Sequence, residues 1–261
     1  MKIHYIMPMA GRGSRFEKEG FTVPKPLIEI YGKPFFYWST QSIRKFIDLA
    51  SLDFVVLQEH VDKYDIDVII KSYFPEARLH VLSDVTEGAV ITCLRGVTDI
   101  SDELPVVFND CDHLFKCSAF NDFCQKKNKD NNNLVASDAF AALDKSDEAG
   151  ILLTFSSSEP KYSFVAKDSA GNITRTAEKK AISNEAICGC YYFRNRNLFE
   201  TYAEQYLKDC EYSEYFMSGV YNIMIRNNLT IKSMLTDFHV PFGVPAEYEI
   251  AKLNKNYLEL L

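Results

Sequence analysis

The sequence lacks a long hydrophobic run and an excess of positive charge. No apolar stretch in its 261 residues approaches the roughly 20 residues that a membrane-spanning helix needs, and the opening MKIHYIMPMAG is too short and too soon interrupted for a signal peptide. The formal net charge is -7, which disfavours a general surface for nucleic acid or anionic membranes. We therefore expect a cytoplasmic protein without a nucleic-acid or membrane partner. A homo-oligomer is compatible with the sequence.

Cysteines at metal-binding spacing are also absent. The seven cysteines are an odd number, and no two of them are separated by two residues. Neither a disulfide framework nor a zinc ribbon is therefore indicated. Cys188 and Cys190 alternate within a predicted strand, and we interpret both as small core residues.

Short apolar runs alternate with helical patterns along the first half of the chain. The runs IHYIMPM, DFVVLQ, LHVLS and LPVVFND predict buried strands. Helices are predicted after Pro34 and from Val90 to Val97, where apolar residues recur at a spacing of about 3.6 residues. This alternation predicts an α/β fold of three layers, with a mainly parallel mixed sheet covered by helices on both faces.

The second half of the chain has a different pattern. The polar run QKKNKDNNN at 125–133 predicts an exposed loop. A last helix is predicted with one apolar face formed by Ala246, Ile250, Leu253 and Tyr257. We expect a single domain over 1–261, in which a first half, 1–116, is joined without a linker to a second half, 117–261.

A cationic, glycine-rich segment, AGRGSR, follows the first predicted strand. Gly11 and Gly13 lack a Cβ, so backbone N–H groups can approach anionic oxygens closely. Arg12 and Arg15 add planar donors that match phosphate. In an open α/β sheet, ligands bind beyond the carboxyl ends of the strands, where this segment lies. The segment therefore predicts a phosphate site.

Two familiar phosphate loops do not fit this segment. A P-loop would need lysine and then serine or threonine after its glycines, where Ser14 and Arg15 stand. A dinucleotide fingerprint would need a third glycine in place of Phe16. The following Pro24-Lys25-Pro26 fixes the backbone around one lysine and excludes it from regular helix or strand pairing. This lysine is therefore predicted to act on the same ligand.

Two aspartates, Asp110 and Asp112, follow the predicted strand LPVVF. Alternation along the chain puts both on the same side, at the ligand crevice. Mg²⁺ suits this pair because it usually binds through one or two carboxylates together with substrate phosphates. The same pattern after a strand also occurs in glycosyltransferases that use nucleotide sugars, so that class remains a competing interpretation.

The opening MAGRGSRF…VPKPLIEIYGKP resembles that of the nucleotidyltransferase family whose members couple a nucleoside triphosphate to a phosphorylated sugar or alcohol and release pyrophosphate. Further segments follow in the order of that family: TEGAVITCLRG at 86–96, FNDCDHLF at 108–115, ITRTAEKKAISNEAICGCYYF at 173–193 and FGVPAEYEIAKL at 242–253. Lys180 and Val244 replace the family's usual proline and threonine. The resemblance implies a Rossmann-like nucleotidyltransferase fold, similar to the GT-A fold, and a Mg²⁺-dependent pyrophosphorylase.

Charge and resemblance together imply roles for individual residues. The implied catalytic residues are Arg15, which would favour the departing pyrophosphate, Lys25, which would act at the α-phosphate, and Asp112. The implied nucleotide-binding residues are Met9, Ala10, Gly11, Arg12, Gly13, Ser14, Arg15, Lys25, Thr86, Gly88, Ala89 and Asp110. The implied acceptor-binding residues are Glu178, which would hold the hydroxyls of the accepting substrate, Lys179, which would reach its phosphate, and Gly189. The resemblance thus implies a nucleotide-binding half at 1–116 and an acceptor-binding half at 117–261.

The second metal carboxylate departs from the family pattern. Many relatives supply it two residues before the final glycine, where this chain has Pro241. Asp237 is the nearest acid in the sequence. We therefore predict a Mg²⁺ site formed by Asp112, Asp110 and Asp237.

The expected function is transfer of a nucleoside monophosphate from a triphosphate, foremost CTP, UTP or dTTP, to a phosphorylated small molecule. A sugar 1-phosphate for a surface polysaccharide precursor is the first expectation. Transfer of a cytidylyl group to a phosphorylated alcohol or amine such as phosphocholine is the alternative. A glycosyltransferase that uses Asp110 and Asp112 and a non-catalytic nucleotide sensor are further alternatives.

Overall fold

A computed structural model describes residues 1–133 and 148–259. The strands are β1 (Ile3–Pro8), β2 (Glu29–Ile30), β3 (Lys33–Pro34), β4 (Leu49–Leu57), β5 (Arg78–Leu82), β6 (Val106–Asn109), β7 (His113–Lys116), β8 (Gly150–Ser156), β9 (Ser163–Lys167), β10 (Ile173–Glu178), β11 (Glu185–Phe193), β12 (Ile231–Leu235) and β13 (Phe238–Pro241). The helices are α1 (Ser14–Lys18), α2 (Phe35–Arg44), α3 (Gln58–Tyr64), α4 (Ile66–Tyr73), α5 (Ala89–Gly96), α6 (Ser118–Asn133), α7 (Arg196–Asp209), α8 (Met217–Arg226) and α9 (Pro245–Lys252). None of the helices in the described ranges is both long and apolar enough to cross a bilayer.

Most of the strands belong to one mixed sheet. Along it they lie in the order β10, β9, β11, β6, β1, β4, β5, and β8 pairs with both β11 and β12. β1 is parallel to β4 and β6, and β4 is parallel to β5. The sheet continues from the first half of the chain into the second through the antiparallel pair of β6 and β11. The predicted α/β fold with a mainly parallel mixed sheet is confirmed.

Side-chain alternation in β1 shows why helices cover both faces of the sheet. Ile3, Tyr5 and Met7 are buried in one cluster with side chains of α2, α4 and α6. Ile6 is buried in the opposite cluster with side chains of α5, α7 and α8. A strand that is apolar on both faces in this way forms the middle layer of three.

The carboxyl ends of β1, β4, β5 and β6 lie at one edge of the sheet because these strands run in parallel. A separate two-stranded sheet, β7 with β13, adds a wall at this edge. Its register pairs His113 with Pro241 and Lys116 with Phe238. The N–H of Phe242 then donates to the carbonyl oxygen of Asp112 at 3.0 Å. The turn after β13 is thereby fixed beside the loop that follows β6.

The predicted loop at 125–133 is wrong, because these residues form the last part of α6. Two buried side chains near its start, Phe120 and Cys124, attach the helix to the core. The Asp237 carboxylate accepts a hydrogen bond from the N–H of Ser118 at 2.9 Å and so caps the first turn. Packing and a distant cap therefore outweigh the polar composition.

The predicted apolar face of α9 is also wrong. Ile250 is 65% exposed and Leu253 is 84% exposed. The face of α9 that turns inward carries Glu247 and Ala251, which are buried. Glu247 thus places a buried carboxylate in the first turn of α9.

Candidate active site

The glycine-rich segment forms a tight loop between β1 and α1. Gly13 has a φ of 64°, in the left-handed region that favours glycine. Its carbonyl oxygen accepts a hydrogen bond from the N–H of Phe16 at 3.0 Å, and the buried Phe16 ring anchors α1. A Cβ on Gly13 would lie 2.9 Å from the Cβ of Lys25. This glycine therefore lets the loop pack directly against the Pro24-Lys25-Pro26 segment.

Lys25 lies in a 3-10 turn, and its ammonium forms an ion pair with the carboxylate of Asp112. The two side chains are 25% and 21% exposed, respectively. Burial acts to lower the pKa of Lys25, but the charge of Asp112, its hydrogen bond to Lys25 and the other nearby acidic groups together outweigh burial, and the pKa lies above its ordinary value. Lys25 is therefore a fixed cation at this edge of the sheet.

Two glycines leave room for the two aspartates. A Cβ on Gly189 would lie 2.6 Å from Oδ2 of Asp110, and a Cβ on Gly243 would lie 2.2 Å from Oδ2 of Asp112. The N–H of Asp110 also donates to the carbonyl oxygen of Gly189 at 2.8 Å. A side chain at either glycine would displace a carboxylate, so the chain is shaped around this pair.

The charge balance of the pair fits a bound cation. Burial raises the pKa of Asp110, and the nearby charge of Asp112 raises it further. Burial acts in the same direction on Asp112, but Lys25 holds the pKa of that carboxyl below its usual value. Oxygen donors suit Mg²⁺, which needs only one or two carboxylates when phosphates complete its shell. Among the described residues, no cluster of three or more His, Cys, Asp or Glu is arranged to hold a metal without such a ligand.

A cleft of about 590 Å³, here called the nucleotide-side cleft, opens between the glycine-rich loop and the start of α5. The predicted residues that line it are Ala10, Gly11, Arg12, Thr86, Gly88, Ala89 and Asp110. A Cβ on Gly88 would lie 2.4 Å from the backbone nitrogen of Tyr215. Close packing against Tyr215 therefore explains why residue 88 is a glycine. The Thr86 hydroxyl lies 2.6 Å from the hydroxyl of Thr92, and this hydrogen bond holds it at the wall of the cleft.

A smaller cleft of about 220 Å³, here called the acceptor-side cleft, shares Ala89 and Asp110 with the first. The further residues that line it include Asp112, Lys161, Tyr162, Glu178, Gly189, Tyr191, Phe216 and Glu247. The Glu178 carboxylate accepts hydrogen bonds from the hydroxyls of Ser163 and Ser218. The predicted Glu178 and Gly189 are therefore brought together with both aspartates.

Other predicted residues lie outside these two clefts. Met9 is buried in the core, and its N–H donates to the carbonyl oxygen of Val55 at 2.8 Å. Ser14 and Arg15 are exposed on α1. Gly13 lines a third cleft, of about 560 Å³, on the α3 side of the loop.

The structure does not bring Asp237 to the aspartate pair, which corrects the predicted metal site. The β7–β13 register puts Pro241 beside His113, but Phe238 beside Lys116 at the other end of the strand. Asp237 accepts hydrogen bonds from the N–H and the hydroxyl of Ser118, at 2.9 and 2.6 Å. Its position is that of a helix cap.

Lys179 does not line the acceptor-side cleft either. Its backbone has a φ of 52°, and its N–H donates to the carbonyl oxygen of Tyr162 at 3.1 Å. The ammonium lies 4.6 Å from the centroid of the Phe216 ring, which is a cation–π contact. Phe216 lines the cleft and Lys179 does not.

Sequence reasoning missed Glu247, which joins the two sides of the acceptor-side cleft. Its Oε2 accepts from the N–H groups of Gly243 and Val244 at 3.0 and 3.2 Å. Its Oε1 accepts from the hydroxyl of Tyr162 and lies 2.9 Å from Nζ of Lys161. An acid three residues into a helix was a signal for capping. Nothing in the sequence indicated that its other oxygen would reach a cation across the cleft.

The fold is shared with solved structures of nucleotidyltransferases. The nucleoside-diphosphate-sugar pyrophosphorylase from Vibrio cholerae RC9 is 22% identical with a TM-score of 0.73, over 95% of this chain and 99% of that one. A protein described as a glucose-1-phosphate thymidylyltransferase from Bacillus anthracis is 17% identical with a TM-score of 0.69, over 96% of this chain and 94% of that one. The inositol-1-phosphate CTP transferase from T. maritima is 14% identical with a TM-score of 0.68, over 98% of this chain and 97% of that one.

These likenesses confirm the nucleotidyltransferase-like fold that the resemblance implied. At such identities they show the fold alone. No protein-family model matches the chain, and no curated relative matches it.

Proposed function

We propose that the protein is a Mg²⁺-dependent nucleotidyltransferase, which transfers a nucleoside monophosphate from a triphosphate to a phosphorylated small molecule and releases pyrophosphate. The observation that carries this proposal is the meeting of the glycine-rich loop, Lys25 and the Asp110–Asp112 pair at the carboxyl ends of β1 and β6. The names of the three structural neighbours, a pyrophosphorylase and two nucleotide transferases, support it.

The triphosphate is proposed to bind in the nucleotide-side cleft. Gly11 and Arg12 line this cleft next to Asp110. Backbone N–H groups of the loop and the guanidinium groups of Arg12 and Arg15 are suitable donors for its phosphate oxygens. CTP, UTP and dTTP are the candidates, with the base against Thr86, Gly88 and Ala89.

The proposed chemical step is in-line attack by an acceptor phosphate oxygen on the α-phosphorus, with pyrophosphate leaving. A phosphomonoester has a second pKa of about 6, so at neutral pH it is largely dianionic and needs no general base. The site accordingly requires positioning and charge stabilisation. Burial lowers the pKa of the neighbouring His113 to about 4, so this histidine is neutral at neutral pH and adds no charge.

Lys25 is proposed to exchange partners during this step. In the free protein its ammonium donates to Asp112. When the triphosphate binds, we expect Lys25 to donate to the α-phosphate, and Asp112 with Asp110 to hold Mg²⁺. The ion supplies positive charge that neutralises phosphate oxygens when it is bound.

A sugar 1-phosphate is the proposed acceptor, with its hydroxyls on Glu178 and its ring beside Gly189. Supply of a surface polysaccharide precursor and a cytoplasmic location belong to the same proposal. A second candidate acceptor is a phosphorylated alcohol or amine, with CTP as donor. The aromatic rings of Tyr162, Tyr191 and Phe216 line the acceptor-side cleft together with Glu178. Such a composition favours an ammonium group.

Two measurements test the proposal in turn. Thermal unfolding is recorded with Mg²⁺ and each of CTP, UTP, dTTP, GTP and ATP, because a ligand at 100 times its dissociation constant stabilises by about 2.7 kcal/mol. Pyrophosphate release is then screened with the stabilising triphosphate and a panel of sugar 1-phosphates, phosphocholine and other phosphoalcohols. Stabilisation by one triphosphate that Asp112→Asn weakens, followed by pyrophosphate release, is the expected result. Stabilisation by nucleotide sugars alone would favour a glycosyltransferase instead.

A further inference from the structure

The acceptor-side cleft contains a lysine that neither the sequence pattern nor the resemblance assigned. Lys161 lies in the turn before β9, and its side chain is 38% exposed. Of the described residues that line this cleft, Lys161 is the one lysine, and no arginine lines it. The predicted phosphate-binding Lys179 has its ammonium over the ring of Phe216 instead.

Two carboxylates and an aromatic ring hold the ammonium of Lys161 in one place. Its Nζ lies 2.7 Å from Oε2 of Glu159 and 2.9 Å from Oε1 of Glu247. It also lies 4.9 Å from the centroid of the Tyr162 ring. An ammonium has three N–H donors. With two directed at carboxylates, one remains for a ligand in the cleft.

Glu247 connects this ammonium to the aspartates. The point that a Cβ on Gly243 would occupy lies 2.2 Å from Oδ2 of Asp112 and 3.6 Å from Oε2 of Glu247. The two carboxylates therefore flank the same glycine. Lys161, which contacts the other oxygen of Glu247, lies at the Asp112 end of the cleft. That is the end where an acceptor phosphate has to approach the α-phosphorus.

The cleft is acidic, so an anionic acceptor needs a cation there. Asp110, Asp112, Glu178 and Glu247 all line it. A phosphomonoester carries close to two negative charges at neutral pH, and its entry among four carboxyl groups is unfavourable without positive charge. We propose that Lys161 binds the phosphate of the acceptor. Glu247 is the positioning residue that holds its ammonium at the aspartate end of the cleft.

This assignment rests on the proposed function, and steady-state kinetics test it. With a triphosphate and acceptor that yield pyrophosphate, Lys161→Ala should raise the KM of the acceptor about tenfold or more, and the KM of the triphosphate should stay within about twofold. Lys161→Arg should restore part of the acceptor binding because it restores the charge. An unchanged acceptor KM in Lys161→Ala, or an equal rise of both KM values, overturns the assignment.

Three further variants separate phosphate binding from structural effects. Lys167→Ala removes another lysine–glutamate ion pair, 2.6 Å to Glu185, outside the cleft, and should leave both KM values near wild type. Lys179→Ala is the competing variant: a smaller rise of the acceptor KM there than in Lys161→Ala is expected, and a larger rise would assign the phosphate to Lys179, the lysine that the resemblance implied. Should Lys161→Ala not fold, Lys161→Gln keeps a donor for Glu247 without the charge and takes its place.

Binding of inorganic phosphate provides a readout that needs no knowledge of the acceptor. Thermal stabilisation by phosphate, relative to chloride at equal ionic strength, should be the same in wild type and Lys167→Ala and mostly lost in Lys161→Ala. A different outcome is a protein that binds phosphate through Lys161 and yet releases no pyrophosphate with any pair of substrates. That result overturns the proposed function but retains Lys161 as a phosphate site. Pyrophosphate release with phosphate binding and acceptor KM both unchanged in Lys161→Ala overturns the role of Lys161 alone.

Discussion

The ammonium of Lys25 donates to the carboxylate of Asp112, 87 residues further along the chain. Each residue serves as counter-ion to the other in the free protein. In the proposed reaction a triphosphate would bring a new partner for Lys25, and a divalent cation would bring a new partner for Asp112. The ion pair would keep both groups charged and in place until these ligands bind, and mutation of each residue would test its role separately.

Replacing Lys25 with alanine should lower turnover by about 10²–10³-fold, as the loss of one preorganised donor at the reacting phosphate does. The protein should stay folded, because a single partly exposed ion pair is lost. The measurement is kcat from pyrophosphate release, with thermal unfolding in parallel. Lys33→Ala is the matched control, since the Lys33 ammonium lies 4.8 Å from the centroid of the Tyr73 ring, outside both clefts. Near-wild-type turnover in Lys25→Ala would exclude the mechanism.

Two aspartate variants distinguish a metal ligand from a helix cap. Asp112→Asn should abolish most Mg²⁺-dependent turnover. Asp237→Ala should cost about 1 kcal/mol of stability, because it removes the cap of α6, and should retain turnover and Mg²⁺ dependence. Turnover is measured as a function of Mg²⁺ concentration, and stability by urea unfolding. A raised Mg²⁺ requirement in Asp237→Ala would restore the metal role that its position argues against.

Two glycine variants test nucleotide binding and cation binding separately. A Cβ on Gly11 would meet no atom within 4 Å, so Gly11→Ala should unfold at the wild-type temperature yet weaken stabilisation by the triphosphate. A Cβ on Gly243 would lie 2.2 Å from Oδ2 of Asp112, so Gly243→Ala should lower both stability and Mg²⁺-dependent turnover. Wild-type triphosphate binding in Gly11→Ala would argue against close backbone contact with phosphates.

The buried histidines should lower stability as the pH drops from about 6.5 to about 4, whereas Asp110, whose pKa burial raises, acts in the opposite direction. Burial lowers the pKa of His113 to about 4, so over this range the unfolded chain binds a proton that the folded protein does not. For His113 alone the loss amounts to about 3 kcal/mol, and burial also lowers the pKa of His4, His60 and His239. Urea unfolding between pH 7 and pH 5 measures the slope. The difference between wild type and His113→Gln isolates the histidine: the variant should lose less stability than wild type on acidification, and equal slopes in the two proteins would contradict the buried neutral state.

Sequence patterns predicted those features of the fold that are set by residues close together in the chain. Alternation in β1 and the apolar run of β6 indicated buried strands, and their order indicated the sheet. The glycines after β1 indicated a tight loop because backbone geometry is a local property, and the phosphate site that they and the neighbouring cations indicate stays a prediction. Asp110 and Asp112 were predicted to share a side, and both line the acceptor-side cleft.

Pairings between distant segments could not be predicted in the same way. Asp237 looked like a metal ligand by sequence distance, but the register of β13 against β7 decides which end of the strand meets Asp112. The α6 helix extends through a polar run because Asp237 caps it and Phe120 packs beneath it. Glu247 was missed because its contact with Lys161 joins segments that are far apart in the chain.

The pairing of β7 with β13 joins residues 113–116 to residues 238–241. During translation, a nascent chain that has reached only β7 already carries the glycine-rich loop, Lys25 and both aspartates. It lacks the turn at Gly243 that confines Asp112 and the helix that supplies Glu247. We therefore expect the first half, if it collapses early, to expose Asp110 and Asp112 without the wall that β13 and the turn after it provide. Competence for the proposed reaction would be acquired only when β13 docks against β7.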